Sequence, residues 1–494
     1  SSLLTNSTGT NLAAVGFRSL EKNTTGSSNT GIGYYALREN TTASYNTAIG
    51  TYALGDQTTG DNNTALGFKA LKYNTTASNN TAVGYEALHV NTTGTENVAV
   101  GAYALDANTT ASYNTAVGYE ALTSATTATK NTAVGQDALK DTTTGSYNVA
   151  LGTQALHNNT TGESNIAVGQ NALGTNTTAS NNVAIGQDAL VQNTTGTQNT
   201  AVGSYALEAN STGNQVTAVG FRALDQNTTA HNNTAMGHSA LGANTTGGQN
   251  TAVGAYALDA NTTADANTAF GYNALTNNTT GQLNTAVGME ALETMATGSS
   301  NTAVGYHALN SSSNCQQCTA VGRYALGANT TGSENTAVGR LAGQTTTTGS
   351  NNLSLGYNAT SPSATSSNNV NLGDGNIGAL RCAQTSITSL SDERDKTEII
   401  DLPIGLDFIN LLKPRKFKWA TREGCNRDGK YEAGFIAQEF QAIEASTSVD
   451  YLKLVLDDNP DKLEAAPNKL FPVLVKAIQE LSAEVEQLKS QLNN

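Results

Sequence analysis

The feature that most restricts this chain is a 17-residue repeat without a slip. A glycine recurs every 17 residues from Gly16 to Gly373, giving 22 glycines and 21 steps with no insertion or deletion. A leucine follows four residues after the glycine in nineteen consecutive repeats, from Leu20 to Leu326. The consensus is Asn-Thr-Ala-Val-Gly-Tyr-x-Ala-Leu-x-x-Asn-Thr-Thr-Gly-Ser-x. A fixed period indicates stacked units, each of which contacts only its neighbours.

The length of the repeat favours β-structure. A helical solenoid needs about 33 residues or more for its helix pair. Seventeen residues suit one coil of a parallel β-solenoid or β-roll, and we expect two short strands and two turns in each coil. The Asn-Thr-Thr-Gly segment supplies turn chemistry. Stacking would place equivalent residues about 4.8 Å apart, so that Asn, Thr and Leu each form a ladder.

One coil buries few apolar side chains, so the array must gain stability from neighbouring coils and neighbouring chains. If the valine of Thr-Ala-Val points into the coil, strand alternation turns the adjacent alanine outward. We therefore expect an outward stripe of Ala and Leu. A continuous apolar stripe on a polar shaft is typical of an interface, and we interpret this stripe as the surface around which three chains associate.

The repeat Asn-Thr-Ala-Val-Gly-Tyr-x-Ala resembles that of the head domains of trimeric autotransporter adhesins. This resemblance implies a left-handed parallel β-roll that packs as a trimer. The family's repeats are shorter, so the Asn-Thr-Thr-Gly turn is an expansion here.

The repeated Asn-Thr-Thr turn leaves three interpretations open: a structural ladder, glycosylation acceptors and an ice-binding array. Asn23 and its equivalents are formally glycosylation sequons. The same register holds Gln57, Ala125, Thr142 and Thr346, which favours the ladder. Ice-binding arrays use Thr-x-Thr, whereas adjacent threonines in a strand point to opposite faces.

Composition and the scarce reactive residues exclude several classes of function. The net charge is −14 with a pI near 4.8, which argues against a nucleic-acid partner. No stretch approaches 18 apolar residues, so we expect no membrane insertion. Cys315 and Cys318 could form a local disulfide, remain passive thiols or belong to a metal or redox site, while Cys382 and Cys425 have no evident role. Because the histidines are scattered singly, we expect no cofactor and no metal.

The repeat ends after Gly373, and the composition changes at about residue 391. Charged residues, Phe, Pro and the only tryptophan, Trp419, appear there. We predict three segments: a repeat shaft at residues 1–375, a linker at 376–390 and a separate small α+β domain at 391–494.

Five motifs of the last segment resemble the endosialidase-type intramolecular chaperone, a self-cleaving module at the C-terminus of phage tail spikes and fibres. They are Ser-Asp-Glu-Arg-Asp-Lys at 391–396, Gly-Leu-Asp-Phe-Ile-Asn-Leu-Leu-Lys-Pro at 405–414, Phe-Lys-Trp at 417–419, Gly-Phe-Ile-Ala-Gln-Glu at 434–439 and Leu-Val-Lys-Ala-Ile-Gln-Glu-Leu at 474–481. The resemblance implies autoproteolysis with Ser391 as nucleophile and Lys396 as general base, and a cut on the N-terminal side of Ser391.

The residues alone leave a second interpretation of this motif. A serine followed by charged residues is also typical of a helix N-cap and first turn. As a base, Lys396 would have to be desolvated enough to lose its proton, which closure of a trimer interface over the loop would achieve.

The chain ends in a predicted helix that begins near Lys469. Leu474, Ile478, Leu481 and three later apolar residues, Val485, Leu488 and Leu492, are spaced 4, 3, 4, 3 and 4 residues apart. This spacing predicts a coiled-coil seam. Packing of the helix on its own domain and an intermolecular bundle both remain open, and we favour the bundle.

These patterns favour a homotrimeric structural and adhesive fibre, located in a virion tail or otherwise at an extracellular surface, with a host-surface receptor or glycan as partner. Its last domain would align three chains and then be released by cleavage. The alternative is a bacterial or algal extracellular adhesin, or an ice-binding solenoid, that uses the same chaperone.

Overall fold

The computed structural model describes residues 2–377, 391–420, 428–457, 459–461 and 463–493. The chain divides into two compact units, residues 1–324 and 325–494. The division falls inside the repeat, so the second unit contains the last coils as well as the C-terminal domain. Residues 378–390 of the expected linker, Cys382 and Cys425 lie outside the described residues. The expected boundaries near residues 375 and 391 therefore stay a prediction.

Residues 2–324 form a ladder of three-residue strands, one in each coil. They are β1 Ala13–Val15, β2 Thr30–Ile32, β3 Thr47–Ile49, β4 Thr64–Leu66, β5 Thr81–Val83, β6 Val98–Val100, β7 Thr115–Val117, β8 Thr132–Val134, β9 Val149–Leu151, β10 Ile166–Val168, β11 Val183–Ile185, β12 Thr200–Val202, β13 Thr217–Val219, β14 Thr234–Met236, β15 Thr251–Val253, β16 Thr268–Phe270, β17 Thr285–Val287, β18 Thr302–Val304 and β19 Thr319–Val321. Each of β1 to β18 pairs in parallel with the strand 17 residues later, as Ala201 does with Ala218. This confirms the parallel β-solenoid with one repeat per coil.

The second strand that we expected in each coil is not formed in the described coils. The repeat leucine that would belong to it has a left-handed backbone, with φ between 46° and 55° from Leu20 to Leu326. A left-handed residue cannot continue a strand. The rest of the coil is therefore a succession of turns, stabilised by hydrogen bonds between coils such as Leu190 N–H to the carbonyl of Ala206 at 3.0 Å.

The predicted orientation of the strands was wrong. The middle alanine of the strand points inward, as Ala201 shows with no exposed surface, and the valine beside it points out. The repeat leucine is also buried in every coil from Leu20 to Leu326. Because the leucine already fills the narrow interior of a 17-residue coil, only a small residue fits opposite it. The expected outward stripe of Ala and Leu therefore does not exist on this surface.

The repeated glycine is required by its backbone and by its neighbours. Gly186 has φ +137°, a conformation that residues with a side chain rarely adopt. A Cβ built there would lie 2.5 Å from the carbonyl carbon of Gly203 in the next coil. The glycine thus allows two successive coils to approach at the end of the strand.

Two asparagine ladders run inside the shaft and confirm the structural interpretation of the turn. In the first, Nδ2 of Asn91 donates to Oδ1 of Asn74 at 2.8 Å and to the carbonyl of Gly94 at 2.9 Å. In the second, Oδ1 of Asn29 accepts from the backbone N–H of Asn46 at 2.9 Å. Asn74 and Asn91 have no exposed surface. Glycosylation there would require the coil to open.

The first ladder is interrupted where the next coil lacks asparagine. Within the described residues, four buried Oδ1 atoms of this ladder have no hydrogen-bond partner: those of Asn40, Asn108, Asn278 and Asn329. The positions 17 residues later hold Gln57, Ala125, Met295 and Thr346. An unsatisfied buried acceptor costs about 1–3 kcal/mol, so these coils are weak points of the shaft.

Replacing Gln57 by asparagine is expected to stabilise the shaft by about 1 kcal/mol. The new Nδ2 would donate to the unpartnered Oδ1 of Asn40 and to the carbonyl of Gly60, and the new Oδ1 would accept from Nδ2 of Asn74, as other ladder residues do. Urea unfolding of the purified protein would measure the gain. Thr59→Asn places the same side chain at an exposed position of the same coil and should have no effect; an equal gain there would contradict the ladder explanation.

Cys315 and Cys318 take the places of a turn glycine and a second-ladder asparagine in one coil. Both are buried, and Sγ of Cys315 lies 3.1 Å from Oδ1 of Asn301. The backbone N–H of Cys318 donates to the same Oδ1 at 2.9 Å, so the ladder continues through this coil.

The second unit contains three further coils and then a small domain of mixed structure. Its elements are β20 Thr336–Val338, β21 Leu353–Leu355, β22 Val370–Leu372, α1 Leu406–Leu411, β23 Arg415–Lys418, β24 Tyr431–Gly434, α2 Ala437–Thr447, β25 Val455–Leu456, β26 Glu464–Ala465 and α3 Phe471–Leu492, with 3₁₀ turns at Glu393–Asp395, Asp450–Leu452 and Pro467–Leu470. β23 pairs antiparallel with β24, and β25 with β26. A core of Phe408, Phe440, Val449, Leu454, Leu470 and Val473 joins the helices. The predicted small α+β domain with a C-terminal helix is confirmed.

Candidate functional site

Ser391 and Lys396 are brought together by a short turn. The 3₁₀ turn Glu393–Asp395 lies between them, and Asp392 caps it by accepting a 2.9 Å hydrogen bond from the backbone N–H of Arg394. The turn places Nζ of Lys396 2.5 Å from Oγ of Ser391. A serine hydroxyl in direct contact with a lysine amine is the arrangement that nucleophilic catalysis by a Ser/Lys pair needs.

The cap of this turn bears on the second interpretation of the motif. The N-cap is Asp392 rather than Ser391, so the serine hydroxyl is not used for capping. Asp392 also accepts from Nε of Arg394 at 3.0 Å and from Nη2 at 2.6 Å. These side-chain hydrogen bonds, followed by the backbone one, lower the pKa of Asp392, so it remains a carboxylate paired with Arg394. The charges of Asp392 and Arg394 thus neutralise each other.

Both members of the pair are exposed on the chain. In the observed contact the lysine donates to the serine oxygen. A general base has to accept the hydroxyl proton instead, and a lysine does so where desolvation favours its neutral amine. The predicted pair is therefore in contact, while the dry environment that a neutral lysine needs would have to come from a surface that covers the loop.

The Gly-Phe-Ile-Ala-Gln-Glu motif contributes an ion pair that links α2 to β23. Glu439, in the first turn of α2, accepts from Nε of Arg415 at 3.1 Å and from Nη2 at 2.5 Å. This pairing is the largest cause of the lowered pKa of Glu439. The motif is recognisable in the sequence, whereas its pairing with Arg415 is not. The acidic residue in the first turn signals only the start of a helix.

Helix α3 has one face in the domain core. Val473 and Ala477 on this face are buried, and Oε2 of Glu480 accepts from the backbone N–H of Leu406 at 2.7 Å. This carboxylate caps α1, whose own N-cap residue, Gly405, has no side chain to do so. The capping role of Glu480 was not predicted from the sequence, because the hydrogen bond joins residues 74 positions apart.

The adjacent face of α3 carries the predicted seam. Leu474, Ile478, Leu481, Val485, Leu488 and Leu492 are between 40% and 85% exposed. Packing on its own domain therefore accounts for the other face of α3 and not for the seam. A run of six exposed apolar side chains at coiled-coil spacing fits an intermolecular contact.

The shaft has its own exposed apolar surface, which we name the outer row. It consists of the last residue of every shaft strand, and all 22 are Val, Ile, Leu, Met or Phe. None is buried; Ile185, for example, is 40% exposed. An outward position that is never polar in 22 repeats points to a surface that is covered when the protein is assembled.

The described residues contain no group of three His, Cys, Asp or Glu residues that could hold a metal ion, and no described helix combines the length and hydrophobicity that a membrane span requires. Residues 391–449 match the family described as the chaperone of endosialidase. No curated protein and no solved structure matches the chain.

The family match begins at Ser391 and ends at residue 449, before β25, β26 and α3. It confirms the resemblance on which the C-terminal prediction depended. The match to this family implies a self-cleaving peptidase domain in this segment. The roles of Ser391 and Lys396 stay a prediction, supported by their contact.

Proposed function

We propose that the chain is the subunit of a homotrimeric fibre, that its C-terminal domain aligns three chains, and that this domain is then released by Ser/Lys autoproteolysis. The observation that carries the proposal is a chaperone of endosialidase segment that follows a β-solenoid in the same chain. This combination fits a tail-fibre-like structural protein. We propose a virion tail, or another extracellular surface, as its location.

Two exposed apolar surfaces support self-association. The seam of α3 provides the coiled-coil contact, and the outer row provides one apolar residue per coil along the shaft. A partner that covers a row with a 17-residue period has to present contacts at the same spacing. Another copy of the same shaft does so in every coil, whereas a partner with a different period would lose register after a few coils.

The proposed cleavage is an acyl transfer followed by hydrolysis. Oγ of Ser391 attacks the carbonyl carbon of residue 390 while Nζ of Lys396 accepts the hydroxyl proton. The C–N bond between residues 390 and 391 breaks, and the lysine returns the proton to the leaving amine. Water then hydrolyses the ester between the residue 390 carbonyl and Ser391. Covering of the loop in the trimer would desolvate the lysine, so that cleavage follows assembly.

The ice-binding alternative receives no support from the threonine pairs. Oγ1 of Thr24, the first threonine of a pair, donates to the carbonyl of Thr41 in the next coil at 2.9 Å. Thr58 and Thr92 make the same bond. One of the two threonine rows is therefore used to join coils, which leaves only the second facing solvent.

A charge in the seam is expected to prevent trimer formation. In a double variant, Ile478→Asp with Leu481→Asp, three chains would have to bury six carboxylates in one bundle, at a cost of several kcal/mol. Sedimentation velocity should show a monomer, and cleavage should slow because the loop stays exposed.

Gln479→Asp with Ala483→Asp is the matched control, because it adds the same charge to exposed positions of α3 that face away from the seam. This variant should assemble and cleave like the native chain. Normal assembly of the seam variant would contradict the proposed trimerisation surface.

A further inference from the structure

A ladder of aromatic side chains runs along the first seven coils of the shaft, at the two positions that follow the repeat glycine. We name it the aromatic ladder; its members are Phe17, Tyr34, Tyr35, Tyr52, Phe68, Tyr85, Tyr103 and Tyr119. The rings form two contacting groups, Phe17 to Tyr52 and Phe68 to Tyr119, with centroids 5.4 Å apart for Phe17 and Tyr34 and 5.2 Å apart for Phe68 and Tyr85. Tyr85, Tyr103 and Tyr119 continue the second group, at 5.3 Å and 6.2 Å.

The fold does not require these aromatic residues. At the first position after the glycine, the next four coils hold Gln136, Thr153, Gln170 and Gln187. Their strands have the same three-residue length and parallel register as those of the aromatic coils. Coils with and without an aromatic residue at this position therefore have the same backbone structure. Formation of the coil does not explain why the first seven coils have aromatic residues there.

The rings of the aromatic ladder are presented to solvent rather than packed into the core. Tyr34, Tyr85 and Tyr119 are 43%, 45% and 48% exposed. Their contacts with each other hold them in a row and reduce the side-chain entropy that a ligand would have to remove. Aromatic side chains with a hydroxyl offer both an apolar face and a hydrogen-bonding tip.

Several of the charges beside the aromatic ladder are paired with each other. Lys22 lies 2.6 Å from Glu39, and Arg38 2.7 Å from the same carboxylate. Lys69 lies 2.9 Å from Glu86. The surface is therefore close to neutral, within a chain of net charge −14. An anionic polymer would have to displace these carboxylates, whereas a neutral ligand would not.

We propose that the aromatic ladder binds a neutral polysaccharide. The apolar C–H faces of sugar rings would lie against the exposed parts of the aromatic rings, and sugar hydroxyls would exchange hydrogen bonds with the tyrosine hydroxyls. A polymer suits the site because the ladder offers equivalent contacts in consecutive coils instead of one pocket. The inference rests on the proposed fibre function, in which a host-surface glycan is a partner, and it assigns that partner a surface and a chemical class.

The test uses the full chain and a double variant, Tyr85→Gln with Tyr103→Gln. The fold already accepts glutamine at both registers, as Gln136 and Gln154 show. The control is Tyr113→Gln with Tyr147→Gln, which removes two exposed tyrosines from a different row. Dextran, laminarin and mannan are the neutral probes, polygalacturonate is the anionic one, and affinity electrophoresis measures binding.

The native chain and the control should bind at least one neutral probe, and the ladder variant should bind it about tenfold more weakly. The inference would be overturned if the native chain bound none of the three neutral probes or bound polygalacturonate alone. It would also be overturned if the control variant lost as much binding as the ladder variant. Oligomeric state and self-cleavage are measured on the same samples. If both are normal and neutral glycans are not bound, the inference fails while the proposed fibre function stands.

Discussion

Replacing Ser391 by alanine is expected to leave the purified chain at full length, whereas the native chain should convert without added protease into residues 1–390 and 391–494. The variant lacks the hydroxyl that would attack the preceding carbonyl. Lys396→Ala should also block conversion because it removes the base, and Lys396→Arg should do the same because arginine keeps its proton. Gel electrophoresis over time would show the loss of conversion.

Ser446→Ala and Lys416→Ala are suitable controls. Ser446 is exposed and its hydroxyl bonds to the carbonyl of Ile443 in its own helix, at 3.0 Å. Lys416 is an exposed residue of β23. Both should cleave at the native rate. The three blocked variants should still trimerise, since the seam is untouched. Mass spectrometry of the native products should find Ser391 at the start of the released fragment. Efficient cleavage of Ser391→Ala would overturn the mechanism.

The repetition of the shaft explains why the chains would need a chaperone that aligns them. All the repeats have the same length and nearly the same sequence, so three chains could pair one or several coils out of register at little cost per coil. A seam at one end of the chain would set the alignment before the coils associate. Linking cleavage to assembly would then make release of the domain a consequence of correct alignment.

The period was enough to predict the class of fold, because a 17-residue coil has few architectures open to it. The orientation of each residue was not predictable from alternation alone. Both Ala201 and Val202 can face a core, and the choice depends on Leu207, which a left-handed backbone turns into the coil. The same left-handed leucine removed the second strand. Local preferences would not place a leucine in that conformation.

The candidate site was predictable only in part, for a similar reason. Ser391 and Lys396 are five residues apart, and a short turn is sufficient to join them. The capping of α1 by Glu480 and the pairing of Arg415 with Glu439 join distant parts of the chain. Such contacts depend on how the domain folds, and no spacing in the sequence encodes them.

Replacing Leu190 by aspartate is expected to destabilise the shaft itself, because the side chain has no exposed surface and lies inside its coil. A buried carboxylate without a partner costs several kcal/mol, in addition to the roughly 1.5–3 kcal/mol lost with the leucine. The neighbouring coils lose a stacking partner as well. Differential scanning calorimetry should show a sharply lower melting temperature, and circular dichroism should show loss of β-structure near this coil.

Ile185→Asp is the informative comparison, since Ile185 belongs to the outer row and ends β11, the strand five residues before Leu190 in the same coil. Its carboxylate would be hydrated in a single chain, so the isolated solenoid should remain folded. In the proposed trimer the same charge would be buried between shafts and should weaken their association. The two variants thus separate the interior from the interface. Equal loss of β-structure in both would show that the outer row supports the coil, and unchanged melting of Leu190→Asp would contradict the leucine core.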